Sequence, residues 1–527
     1  MTPSSRPAAA GGTISDGVDR LFDAQEIREV AARAARGADQ LDEAPLESSF
    51  WPDATVRCGT LPEWSREEYV RAWFTVARAC AATQHHLFND SLDVDGDVAH
   101  LETYYIAALV PSGDVDAASL IPFCGAVRSG EVAFQGGRCI DRLERRDGAW
   151  RIASRQVCGD WFATAEAGDT APRRIGDDAA QAGTAPSQTR ERLDALLARD
   201  AIRDCLNRLA RGVDRLDLDV LGSVFADFEA EHDLVDTLLA QRESRPIQCH
   251  YITNLEVTLG DASARAEAYY ISVRCDAPPA PRRVDMAGGR YVFDLVEQGG
   301  EWRIAGRTAL RAWHAIGDGR HIDAFHTATG NKSRRGPDDA SYDPVVGKGV
   351  SSTLAELLDR EGVRDCLARY ARGVDRLDRE LIESAHVDVA PQFVEYMLGQ
   401  ADVRPIQNHC WANLRVELAA DGLAYIEAYY IAVHGYVDGA TSGFIAGTTS
   451  RQDVNLVAGR YVRWFEKVDG RWGLRNLSSA TTYPPPSGGL GDWHAVLDGS
   501  GLGAYLEASG NAGRRRGSVD DPSYRRT

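Results

Sequence analysis

Four phrases recur in this chain in one order, three times over, and a repeat of that kind leaves few folds open. The first phrase runs Ile27-Arg-Glu-Val-Ala-Ala-Arg-Ala-Ala-Arg-Gly-Ala-Asp39-Gln-Leu-Asp42. It returns from Ile202 to Asp217, through Gly212-Val213-Asp214, and from Val363 to Asp378, through Gly373-Val374-Asp375. A His-x-x-x-Asn phrase follows each copy, at His85–Asn89, His250–Asn254 and His409–Asn413. Glu-x-Tyr-Tyr comes next, from Glu102, Glu267 and Glu427, and then Gly-Arg leads into a strand at Arg138, Arg290 and Arg460. The spacing is too long for a solenoid repeat, so each copy is expected to own a core. The copies are placed at 21–168, 191–329 and 353–509. Linkers rich in Ala, Gly, Pro, Ser, Asp and Arg separate them, at 169–190 and 331–352.

Within a copy the period changes once. Ile202, Cys205, Leu206, Leu209, Ala210 and Val213 recur at helical spacing and mark one apolar face. Residues 191–198 read as part of the same helix or a short one before it, and 66–82 as a further helix in copy 1. From the His phrase onward the pattern alternates with period two, with turns at Gly96, Gly148, Gly299-Gly300 and Asp469-Gly470. Helices followed by an antiparallel sheet predict an α+β fold in each copy. Copies 2 and 3 are shortened between Asp and His, and lack a match to Trp51-Pro52-Asp53-Ala54.

A net charge of −19 argues against nucleic acid, which calls for a basic face. Arg514-Arg515-Arg516 reads as a solvated tail. No apolar stretch approaches membrane-spanning length, and the Pro/Ala/Ser-rich start does not read as a signal peptide. Cysteines lack a C-x-x-C pair, and Cys205 and Cys366 share one helical position, so reduced thiols in a cytoplasm are expected. No metal spacing is present. The adjacent His85 and His86 would point to opposite faces of a strand, which suits one ligand site poorly.

On these motifs each copy resembles the SnoaL-like branch of the nuclear transport factor 2 superfamily, which includes polyketide cyclases, scytalone dehydratase and hexachlorocyclohexane dehydrochlorinase. The resemblance implies three cone-shaped domains, each a curved antiparallel sheet wrapped on N-terminal helices. It also implies an intrachain pseudo-trimer, since known members trimerise, and hence a monomer in that form. The Gly-x-Asp and His-x-x-x-Asn phrases are similar to the dehydrochlorinase dyad. They imply Asp39 with His85, Asp214 with His250 and Asp375 with His409. An Arg five residues past the last-strand Trp would complete the site; Arg155 and Arg307 match, whereas copy 3 has Leu477 there. The basic residue of that family five before the Asp is replaced by Ala34, Leu209 and Tyr370. The second pocket histidine of scytalone dehydratase finds no counterpart, the corresponding strand carrying Tyr104, Tyr269 and Tyr429.

A histidine held by a buried carboxylate is a general base, with its tautomer fixed and its imidazolium stabilised. In an apolar pocket it can remove an acidified C–H proton, giving elimination, isomerisation or ring closure without metal or organic cofactor. Arg155 or Arg307 could steady the departing anion or enolate. Trp51, Tyr104, Tyr269 and Tyr429 are candidates for substrate contact, although a strand tyrosine is also an ordinary core residue. The expected function is a lyase (dehydratase or dehydrohalogenase type) or an isomerase or cyclase for a small, largely apolar molecule. The alternative is a non-catalytic ligand-binding or scaffold protein of the same fold. Copy 1, with Asp39, His85 and Arg155 together, is expected to hold the most complete pocket, and copy 3 the least.

Overall fold

A computed structural model describes residues 14–112, 128–169, 189–242, 244, 247–276, 283–323, 353–419, 422–442, 445, 447–475, 490–498 and 500. Leu477, the arginines 514–516 and most of both linkers lie outside the described residues.

Each copy opens with a long helix, Ile14–Gln40, Thr189–Arg215 and Leu354–Arg376. Residues 191–198 therefore belong to the same helix as the repeated phrase. The spaced apolar residues of that phrase are its buried face: Ile202, Cys205 and Leu206 are fully buried, as are Val363 and Cys366. Removing each large apolar side chain from water contributes about 1.5–3 kcal/mol. All three helices stop at a leucine in the left-handed conformation, Leu41, Leu216 and Leu377, with φ of 56°, 54° and 56°. The next residue begins a short return helix; Asp217 and Asp378 cap theirs by accepting the Val220 and Leu381 N–H groups. The return helix presses on the motif glycine. A Cβ at Gly37 would stand 2.6 Å from the Leu46 nitrogen, and one at Gly373 would stand 2.7 Å from that of Ile382. This close approach is why the phrase needs glycine two residues before its aspartate.

After the helices comes an antiparallel meander. In copy 1 it comprises Cys80–Asp95, Val98–Pro111, Glu131–Arg146 and Ala149–Ala167. Copy 2 repeats it as Ile247–Leu259, Ser263–Cys275, Arg283–Gln298 and Glu301–Asp318. In copy 3 the described strands are Ile406–Leu418, Leu423–Gly435, Asp453–Val468, Arg471–Leu474 and Leu490–Asp498. Among the described residues copy 1 alone adds a full strand, Phe50–Cys58, which pairs in parallel with its last long strand; its next helix, Arg66–Arg78, is longer than its counterparts His232–Ala240 and Pro391–Leu398. That helix stops four residues short of the predicted Ala82, because Cys80–Ala82 already pair with the neighbouring strand. Single parallel bridges, Phe225 to Ile304 and His386 to Leu474, are what remains of the extra strand in the other copies.

The copies meet through the repeated phrases. In the first strand of each meander the pairing slips at the motif asparagine, between Leu87 and Asp90, Thr253 and Glu256, and Ala412 and Arg415. The bulge frees that side chain to leave its own sheet. Asn254 of copy 2 accepts the Leu87 N–H of copy 1 at 2.8 Å and donates to the His85 carbonyl at 2.9 Å. Asn413 of copy 3 does the same to Ile252 and His250 of copy 2, at 2.7 and 2.6 Å. Asn89 of copy 1 accepts the Trp411 N–H of copy 3 at 2.9 Å. The Glu of Glu-x-Tyr-Tyr follows the same cycle. Glu102 meets Arg372 and Arg376 of copy 3, Glu267 meets Arg36 of copy 1, and Glu427 meets Arg211 of copy 2. The ends of the last strands also pair in turn, Ala167 with Ala315, Asp318 with Val496 and Asp498 with Thr164.

Candidate active site

The end of the long helix delivers the motif aspartate onto the first strand, and the same two bonds form in every copy. Asp39 accepts the His85 backbone N–H at 2.8 Å through one oxygen and faces His85 Nδ1 at 2.7 Å through the other. For Asp214 and His250 the distances are 2.9 and 2.6 Å, and for Asp375 and His409 also 2.9 and 2.6 Å. A carboxylate that already accepts one N–H receives the second from Nδ1, so the ring proton sits on Nδ1 and the Nε2 lone pair is left for other work. Asp39 and Asp214 are buried, while His85 keeps 18% of its side chain accessible. His86 turns to the other face, toward Thr253 of copy 2, at 3.1 Å. Burial, with the adjacent His85, pulls its pKa down to about 3.

In copy 1 the dyad opens onto a cavity of about 350 Å³. One wall is the alanine face of the long helix, Ala31, Ala34, Ala35 and Ala38; the opposite wall includes Tyr105, Cys139, Asp141 and Arg155. Trp73 meets His85 edge to face, with the ring centroids 4.9 Å apart. Arg155 grips Asp141 with two bonds of 2.7 Å, on directly opposed residues of adjacent strands. Burial opposes the guanidinium charge, and the Asp141 carboxylate more than restores it, so its pKa is raised. Burial pushes the Cys58 and Cys139 thiols up to about 12 and about 11, and carries the Tyr69 hydroxyl well above its ordinary value. The charged groups of the cavity are thus the Asp141–Arg155 pair, set beside an imidazole with a free Nε2.

The repeats explain why this cavity exists. Where copy 1 has Ala31, Ala34, Ala38 and Cys139, copy 2 has Leu206, Leu209, Val213 and Tyr291, and copy 3 has Leu367, Tyr370, Val374 and Tyr461. The larger residues pack into their own cores: Tyr291 stacks on Tyr270 at 4.2 Å between centroids, and Tyr370 on Tyr461 at 6.1 Å. The sequence signal for the cavity is this run of small residues in copy 1 at positions that are large in the other two copies.

Several expected contacts are corrected. Tyr104, Tyr269 and Tyr429 are buried on the face opposite the dyad, between copies; it is their neighbour Tyr105 that lines the cavity. Strand alternation sends adjacent tyrosines to opposite faces, and the motif alone does not say which of each pair faces the dyad. Trp51 does not line the cavity. It packs in the copy 1 core and donates to the Glu144 carbonyl at 3.0 Å. Arg307 is exposed, because Phe293 opposes it where Asp141 opposes Arg155.

Copy 3 holds three polar residues that the sequence motifs do not single out, His434, Tyr436 and Asn455. His434, on the second strand, brings its ring to 6.0 Å from that of His409, and Tyr436 lies 3.3 Å from His434 Nδ1. The buried Asn455 donates to the His434 carbonyl at 3.5 Å. The signal is period two: His434 lies four residues past Tyr430, on the same face. Among the described residues no group of three or more His, Cys, Asp or Glu could hold a metal, the cysteines are free thiols, and no helix is long and apolar enough to cross a membrane.

Comparison with known proteins places the SnoaL-like domain on residues 19–156 and 194–308. Solved structures that resemble the chain include a type 2 hexachlorocyclohexane dehydrochlorinase, 20% identical, covering 30% of this chain and 99% of that one, with a TM-score of 0.25. A putative scytalone dehydratase from Novosphingobium aromaticivorans is 17% identical, covering 31% and 99%, with a TM-score of 0.24. A type 3 dehydrochlorinase from Novosphingobium barchaimii is 18% identical, covering 28% and 92%, at 0.23. No curated protein matches the chain.

Proposed function

We propose that this chain, whose residues 19–156 and 194–308 are SnoaL-like domains, is a lyase or isomerase that removes a C–H proton from a small, largely apolar molecule bound in copy 1, without metal or organic cofactor. The observation that carries the reading is the coincidence of a fixed-tautomer histidine with an apolar cavity that also presents a guanidinium. His85 Nε2 takes the proton, and Asp39 stabilises the imidazolium formed. Arg155, held by Asp141, stabilises the negative charge on the leaving group or enolate oxygen. Loss of the leaving group gives an alkene; return of the proton at another carbon gives an isomer. General-base assistance of this kind is worth about 10²–10⁴-fold. The test is turnover of chlorinated cyclohexanes and small cyclic hydroxyketones by the full chain and by His85→Ala.

The three copies form, in this reading, an intrachain trimer of α+β cones, so that one chain is the complete assembly, in keeping with a soluble cytoplasmic enzyme. The closed cycle of asparagine and glutamate contacts supports it. Copies 2 and 3 then act chiefly as scaffold. Copy 3 keeps His409 with His434 and Asn455, a pair of imidazoles suited to passing a proton, and is the second candidate site.

One observation favours a non-catalytic role for the dyad itself. Copy 2 retains both Asp214–His250 bonds although leucines and a tyrosine take the positions that open the copy 1 cavity. There the pair ties helix to strand. The His85→Ala and His250→Ala variants separate the roles: loss of turnover without loss of stability belongs to a base, and the reverse belongs to a fastener.

A further inference from the structure

The three long helices bring one residue of the repeated phrase to the same place. Arg28, Arg203 and Arg364 follow the apolar residue that opens the phrase in each copy, and all three border two adjoining cavities at the junction of the copies. One cavity is about 200 Å³ and is lined by apolar side chains such as Leu87, Leu206 and Leu367 as well as by Asn89, Asn254 and Asn413. The other, about 40 Å³, adds Arg199 and Arg360.

Charge around this junction does not balance. Five arginines face four carboxylates, Glu29, Asp90, Asp200 and Glu361. The imbalance has a sequence origin. Asp200 and Glu361 occupy one position of the repeat, three residues before the arginine, and copy 1 has the neutral Gln25 there. The pairing is uneven too. Arg28 takes Asp90 with three bonds of 2.9–3.1 Å and Glu361 at 2.6 Å, and Arg364 takes Glu361 at 2.5 Å. Arg203 has Asp200 at 3.5 Å, and the other oxygen of Asp200 is held closer, at 3.1 Å, by Arg360. A third of the Arg203 side chain, 32%, remains accessible while it borders both cavities. Burial and the neighbouring Arg364 pull its pKa down to about 10, the direction expected of a cation short of counter-charge.

We propose that this junction binds one small oxyanion, of carboxylate or phosphate size, with Arg203 as its principal ligand and Arg364 beside it. A guanidinium presents two parallel N–H donors, which match two oxygens of such an anion. The cavity dimensions admit a few heavy atoms. Because the site joins all three copies, its occupant stabilises the assembled chain over the unfolded one by mass action.

The experiment uses the full chain. Thermal unfolding and titration calorimetry are run with sodium acetate, sodium phosphate and sodium chloride at equal ionic strength. The expected result is a saturable rise in Tm with acetate or phosphate beyond that with chloride, at one anion per chain. Gln25→Glu supplies the missing carboxylate and should weaken binding about tenfold or more, while keeping or raising the Tm without anion. Arg203→Gln should weaken binding similarly. Arg155→Gln, in the copy 1 cavity, should keep the response. Equal responses for all three anions would overturn the proposal. So would an unchanged affinity in Gln25→Glu, or loss of binding in Arg155→Gln alone.

Discussion

Asn254 closes on the backbone of His85 from the neighbouring copy, donating to its carbonyl at 2.9 Å while accepting the N–H of Leu87 at 2.8 Å. The residue sits in a bulge with φ of 51°, a left-handed conformation that asparagine tolerates better than most side chains. Its amide thus replaces a stretch of sheet ladder, and the strand that carries the copy 1 dyad is braced by copy 2. Asn254→Ala should cost about 1–3 kcal/mol, since it strands a partly buried donor and acceptor. Chemical denaturation at equilibrium measures it. A cost indistinguishable from zero would mean that the bracing bonds are solvent-equivalent.

The alanine face of copy 1 predicts a gain and a loss together. Ala34→Leu and Cys139→Tyr import the residues of copy 2 into the copy 1 cavity. Each should keep or raise Tm, because apolar volume enters an existing space, and each should abolish turnover by excluding substrate. A double variant that stays active would place the reacting site in another copy.

His86 makes stability depend on pH in a stated direction. Its pKa lies near 3 in the folded chain, below the 6.5 of the free side chain, so only the unfolded state takes up the proton between those values. The contribution is complete above about pH 6.5 and is lost as pH falls toward 3, at up to about 1.4 kcal/mol per pH unit. His86→Gln should flatten this slope in denaturation series run from pH 7 to pH 4. A variant that keeps the wild-type slope would assign the acid lability to other groups.

Much of the fold is legible in the sequence because repetition separates signal from accident. The helical face around Ile202 and the alternating strands each appear three times, and the aspartate and histidine they carry come together at 2.6–2.7 Å in every copy. The dual use of the motifs is not legible there. The side chain of Asn254 bonds the backbone of the copy before, and Glu267 reaches Arg36 of that copy as well as Arg290 of its own. Sequence periodicity assigns a residue to a face, and it does not say what lies opposite that face. For the same reason the motif points to Tyr104 rather than Tyr105, and it gives no prominence to Asp141, which opposes and pairs with Arg155 where Phe293 opposes Arg307. His434 escapes a motif search because its partner His409 lies on a different strand, a proximity that only register supplies.

The central claim is that His85, oriented by Asp39, removes a proton from carbon in copy 1. The most direct measurement is proton NMR in deuterium oxide, following chlorinated cyclohexanes and small cyclic hydroxyketones with the wild-type chain, His85→Ala, Asp39→Asn, His250→Ala and His409→Ala. The account predicts elimination or C–H exchange with the wild type, a fall of about 10²-fold or more in the first two variants, and near-wild-type rates in His250→Ala. Full activity in His85→Ala, with folding intact, would contradict it, and loss confined to His409→Ala would move the chemistry to copy 3.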